Sequence, residues 1–133
     1  MTVRVLRRGD GAFPTLLAQI PDPPSRLWLR GGAPFELLDR PAVAIVGARA
    51  CSGYGRSVAR LLATEAAAAG AVVVSGMARG IDGEAHRGAL AAGGATVAVL
   101  GCGIDRDYPA AHAELAGAIV AAGGLVVSEY EAG

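Results

Sequence analysis

A chain of 133 residues that is 53% hydrophobic has room for one domain with a real core, and this composition excludes a disordered polymer. Twelve cationic and twelve anionic side chains cancel, so no whole-molecule field draws in nucleic acid, and any such binding must come from a local cluster. No apolar stretch is long enough to cross a bilayer and the N-terminal MTVRVLRRGD has no apolar segment behind its basic residues, which points to the cytoplasm and to no membrane partner.

The pattern predicts a short strand over 3–6, a short helix over 14–20, a rigid IPDPP turn, and a second strand over 27–29 that ends at Gly31-Gly32. From residue 43 the alternation becomes regular. Strands are expected over 43–46, 72–75, 96–100 and 125–130. Helices are expected over 55–69, 81–92 and 109–122, with stops at Gly70, at Gly93-Gly94 and at Gly123-Gly124. Four β-branched runs separated by helices predict an α/β fold. We expect a Rossmann-like three-layer arrangement whose mostly parallel sheet has about four core parallel strands plus the N-terminal ones. It forms one domain over 1–133, with 1–42 as an N-terminal extension and 43–133 as βα repeats.

Three of the apolar runs end in glycine-rich corners: VAIVGARACSGYG from Val43, VVVSGMARGID from Val72, and VAVLGCGIDRDYP from Val97. Unpaired N–H groups and the positive end of a helix dipole meet at such corners, a setting for anionic ligands. The first presents Gly47, Arg49, Ser52, Gly53, Tyr54 and Gly55, at a spacing that does not fit the GxGxxG dinucleotide fingerprint. The second presents Ser75, Gly76, Arg79 and Gly80. The third presents Gly101 and Gly103 around Cys102, then Tyr108, a flat surface for stacking a base or a packing anchor. All twelve cationic residues are arginines, whose planar fork grips phosphate, although the Arg4, Arg7 and Arg8 cluster reads as a solvated face.

Asp82 and His86, four apart, share a helix face. They either couple as base and orienter, or Asp82 caps the first turn while His86 packs or bonds locally; the absence of a nearby nucleophile favours the second. Cys51 and Cys102 have no metal-ligand spacing and read as reduced thiols, so no metal, cofactor or catalytic residue is expected.

These residues resemble the DNA-processing protein A family (DprA, also called Smf). The family's IVGxR appears as IVGAR ending at Arg49 and its YG as Tyr54-Gly55. Its VSGxAxGIDxxAHxxAL appears as VSGMARGIDGEAHRGAL from Val74, its VLGxGxDxxYPxxNxxL as VLGCGIDRDYPAAHAEL from Val99, and its SEY at Ser128. His112 stands where members commonly have Asn. The family pattern continues after SEY with a FPxRNR segment and further strands, so the resemblance implies that these residues are the N-terminal part of its Rossmann-like domain, with the C-terminal half outside them. It further implies a non-enzymatic protein of natural transformation and recombination, one that binds and protects single-stranded DNA, helps load RecA and acts as a homodimer. Arg49 and Arg79 would then be principal phosphate contacts.

Two other readings of the same sheet are a mononucleotide-binding protein without turnover and a nucleotide phosphoribohydrolase-like enzyme. The latter's relatives carry a PGGxGTxxE motif that this sequence lacks.

Overall fold

The computed structural model describes residues 2–106 and 112–132. In chain order it has β1 (Val3–Arg7), α1 (Thr15–Ala18), β2 (Arg26–Arg30), a 3-10 segment (Phe35–Asp39), β3 (Ala42–Ala44), α2 (Gly53–Ala68), β4 (Val72–Ser75), α3 (Ile81–Ala91), β5 (Thr96–Leu100), α4 (Ala113–Ala121) and β6 (Leu125–Ser128). One six-stranded sheet runs β1-β2-β6-β5-β4-β3. Its β3–β4, β4–β5 and β5–β6 pairs are parallel, while β1–β2 and β2–β6 are antiparallel. The Rossmann-like α/β architecture is therefore present.

The parallel strands follow one another in sequence order across the sheet. Right-handed crossovers that keep stepping in one direction put every connecting helix on the same face, and the core clusters agree. Val73, Ala98 and Val126 pack under α2, α3 and α4, whereas Val72, Val97, Leu125 and Val127 point the other way, into a cluster with Leu6, Phe13, Leu27, Leu29 and Leu37. The helices thus cover one face and the N-terminal segment covers part of the other. Beside that segment lies an apolar recess of about 270 Å³ lined by Leu17, Leu37, Val74 and Val99.

The N-terminal strands join the main sheet through β2, which covers the outer edge of β6. Arg4 fastens this extension: its Nη2 donates to the carbonyls of Gly31 (2.5 Å) and Ala33 (2.7 Å), and its guanidinium stacks 4.4 Å from the Phe35 ring centre. At the opposite end β3 is an edge strand.

Element limits differ from the pattern where side chains intervene. The strand expected over 43–46 is Ala42–Ala44, although Ile45 N–H still donates to the Val74 carbonyl. The strand expected to reach residue 130 stops at Ser128, whose hydroxyl donates to Cys102 O and accepts from Tyr130 N–H, replacing ladder bonds by local ones. The 3-10 turn over Phe35–Asp39, which buries Leu37, carries no periodicity that the sequence alone reveals. The helix expected from residue 109 is described from Ala113; Pro109 lies outside the described residues.

α2 and α3 pack through small residues. Ala59, Ala63 and Ala67 line the buried side of α2, Thr64 Oγ1 donates to Gly88 O (3.1 Å), and a Cβ at Gly88 would stand 2.5 Å from Arg60 O. Helix propensity alone says that Gly88→Ala stabilises by up to about 1 kcal/mol. The close approach says the reverse, because overpacking costs about 1–3 kcal/mol. We expect a net loss of stability for Gly88→Ala in urea unfolding; a gain would show that the two helices separate easily.

Candidate nucleic-acid interface

β3, β4 and β5 are adjacent and parallel, so their C-terminal ends bring the three glycine corners together along one sheet edge, spanning about 10 Å. At the first corner α2 begins at Gly53, earlier than expected, because Ser52 caps it: Ser52 Oγ accepts from Gly55 N–H (3.0 Å) and Ser52 O accepts from Arg56 N–H. The N–H groups of Gly53 and Tyr54 sit in the first turn, where no preceding helical carbonyl can reach them. Arg49, Ser52, Gly53 and Tyr54 are exposed, and the Tyr54 side chain is 81% accessible. Nothing in the packing explains so bare an aromatic ring.

The second corner rests directly on the first. Gly80, with φ of +75°, precedes α3, and a Cβ there would collide with the carbonyls of Ala48 and Arg49. Ile81 N–H donates to Ala48 O (3.3 Å), and the Ile81 side chain fills the space a Cβ would occupy at Gly47. The segments bearing Arg49 and Arg79 are therefore in contact, and both arginines are exposed. Arg56 is exposed on the first turns of α2. Beyond β5 and β6 the exposed charges are Asp105, Glu129 and Glu131 with Arg106, a net negative set, whereas Arg49, Arg56 and Arg79 by the β3 and β4 corners are all positive.

Beneath the edge, buried polar side chains grip the corner backbones. Ser75 Oγ donates to Ile45 O (2.5 Å), Asp82 Oδ1 accepts from Gly47 N–H (3.1 Å), and Ser128 Oγ donates to Cys102 O (2.6 Å). His112 Nδ1–H donates to Met77 O (2.6 Å). His86, fully buried, holds Gly76 O through Nε2 (2.7 Å) and meets Thr96 Oγ1 through Nδ1 (2.7 Å). A carbonyl only accepts, so Nε2 carries the proton. The Thr96 hydroxyl donates to Val73 O (2.6 Å), and its one proton is shared between that carbonyl and Nδ1, the acceptor of the neutral ring. Burial lowers the His86 pKa below 6.5; the Gly76 hydrogen bond and the nearby Asp82 charge oppose this in part.

Asp82 and His86 consequently do not act as a base with its orienter, nor does Asp82 cap its own helix. Each side chain bonds to a different corner. Four of the residues singled out in the sequence serve shape and anchorage. Gly47 gives its N–H to Asp82, Ser75 spends its hydroxyl on Ile45, Gly76 has Asp82 Oδ2 2.7 Å from where a Cβ would stand, and Gly80 admits the Arg49 loop. Gly55 gives its N–H to Ser52, Gly101 is exposed and Gly103 is buried. Tyr108 lies outside the described residues. Ser128 and His112 were not singled out as anchors from the sequence; the only trace is a polar residue ending an apolar run and one just before an Ala/Leu helix. Among the described residues no group of three His, Cys, Asp or Glu side chains could hold a metal, and no helix is long and apolar enough to span a membrane.

The sequence matches the profile of the family described as DNA recombination-mediator protein A over residues 4–133. No curated protein matches it at a significant level. Solved structures similar to it include two of DNA processing protein A. One is the X-ray structure of DNA processing protein A (DprA) from Streptococcus pneumoniae, with a TM-score of 0.85 and 39% identity, covering 98% of this chain and 44% of that one. The other, described as giving insights into the unique single-stranded DNA binding mode of DNA processing protein A from Helicobacter pylori, has a TM-score of 0.79 and 32% identity, covering 98% of this chain and 56% of that one. The chain thus spans about half the length of the solved proteins it matches.

The buried histidine makes stability pH-dependent with a defined sign. Because the folded pKa lies below 6.5, the unfolded chain binds more protons as pH falls through and below that value, so the full contribution is present above it and is lost on acidification. We expect the melting temperature to fall between pH 7 and pH 5, above most carboxylate titration. His86→Gln should start lower at pH 7 and fall less; parallel curves for the two proteins would exclude His86 as the source.

Proposed function

The chain belongs to the DNA recombination-mediator protein A family, and from that premise we propose that it binds single-stranded DNA along the glycine-cornered sheet edge. The observation that carries this reading is the contact between the two loops bearing the exposed Arg49 and Arg79, beside a helix N-terminus. Two planar cations and free first-turn N–H groups suit successive phosphates, which need positioning without base readout. Ser52 keeps its hydroxyl proton to donate, since only its acceptor side is used by the cap. Tyr54, bare and in the first turn of α2, offers a stacking face for a base, a role that Tyr108 would share. Gly53, Gly55 and Gly101 keep the corners low enough for a backbone to approach, while Gly47, Ser75, Gly76, Gly80 and the buried Gly103 fix their shape.

The strand crosses the β3 and β4 corners rather than β6, because Glu129 and Glu131 repel phosphate there. In this reading the protein works in the cytoplasm in DNA uptake and recombination, shielding incoming strands and helping to load RecA, as a homodimer in the complete protein. Phosphate contacts and stacking tolerate most sequences, so strand state, and not base identity, decides affinity.

Anisotropy of a labelled oligothymidylate tests this. Affinity should fall with salt with a log–log slope of about −0.7 per phosphate neutralised. Arg49→Ala and Arg79→Ala should each weaken binding roughly tenfold, about 1.4 kcal/mol, and each flatten that slope by about 0.7. Duplex should compete poorly. Equal affinity for duplex, or a slope unmoved by both substitutions, would overturn the assignment.

A further inference from the structure

We infer that Asp82 is a positioning residue for Arg49: its buried carboxylate holds the first corner in place against the second without touching the ligand itself. The inference rests on the single-stranded DNA reading above. Asp82 is 6% exposed, and among the described residues no arginine pairs with it. A buried carboxylate with no cationic partner is costly unless hydrogen bonds and dipoles compensate it. The compensation here is the Gly47 N–H at 3.1 Å and the positive end of α3, in whose first turn it sits.

The bond to Gly47 falls in the loop that follows β3, two residues before Arg49. Three consecutive residues of the second corner then grip the same loop. Gly80 lies under the carbonyls of Ala48 and Arg49, Ile81 N–H donates to Ala48 O while its side chain covers Gly47, and Asp82 takes the Gly47 N–H. The backbone of Arg49 is fixed before any ligand arrives, and only its side chain is left to order. The other Asp82 oxygen lies close to the Gly76 backbone, so one carboxylate spans both corners. A neutral side chain with an oxygen at the same place would preserve the geometry, because the requirement is an acceptor for one N–H.

The test is a double-mutant cycle read by oligothymidylate anisotropy. D82A should weaken binding about five- to tenfold, the cost of ordering a loosened loop. In the R49A background it should cost nothing more. D82N, whose amide oxygen can accept from Gly47 N–H, should stay within about twofold of wild type. The Gly47 amide of the wild-type protein should also exchange slowly with solvent, a readout that needs no variant to fold. Unchanged affinity in a folded D82A protein, an equal loss in the presence and absence of Arg49, or free exchange at Gly47 would overturn the inference. If R49A itself leaves binding intact, the DNA reading falls and this inference with it. If R49A weakens binding and D82A does not, the inference alone falls.

Discussion

The arrangement at the sheet edge depends on one close approach of backbone to backbone. Gly80 lies so near the carbonyls of Ala48 and Arg49 that no side chain fits between them, and its positive φ turns the chain from β4 into α3 at that point. Because α3 starts there, its first turn delivers Ile81 and Asp82 to Gly47, and its next turn delivers His86 to Gly76 and Thr96. The same helix carries Gly88 against α2. A single element therefore sets the first corner, the second corner and the seat of the neighbouring helix. The glycines act less as ligand-binding groups than as places where two main chains touch.

The polar residues below the edge extend this logic. A loop at the end of a parallel strand leaves carbonyl and N–H groups facing the protein interior, and each unpaired one is costly. Ser75, Asp82, His86, His112 and Ser128 satisfy five of them with side chains from adjacent elements. Such bonds hold the corners more rigidly than apolar packing would, since each has a direction as well as a distance. The outer surface is left with the opposite character: arginines, a serine hydroxyl, a bare tyrosine ring and open N–H groups over β3 and β4. Preorganisation below and exposure above are what a phosphate-binding edge needs.

Much of this was legible in the sequence. The four parallel strands and their helices followed from β-branched runs punctuated by glycines, and the corners followed from where those runs stop. The 3-10 turn over Phe35–Asp39 left no trace, because one short turn imposes no period. The order of strands in the sheet, and with it the placing of all three crossover helices on one face, is a long-range property that no local window contains. Within the corners the sequence marked residues that the fold brings to one sheet edge while leaving their division of labour open. A glycine that admits a ligand and a glycine that admits another loop look alike in one dimension. Asp82 and His86 share a helix face as their spacing requires, yet the partners that decide their roles, Gly47 and Thr96, lie on other elements.

The antiparallel junction between β2 and β6 bears on how the chain assembles. Each parallel strand meets its neighbour after a single intervening helix, so β3 through β6 can add one unit at a time by short loop closures. The β1–β2 hairpin is the exception. It precedes the repeats in the chain, but Trp28 finds its partner Ser128 only about a hundred positions later. Until then Leu27 and Leu29 have their hairpin partners on β1 and no strand on the other side. The early hairpin is thus a waiting half-sheet during synthesis, and β6 is the strand that joins it to the βα repeats.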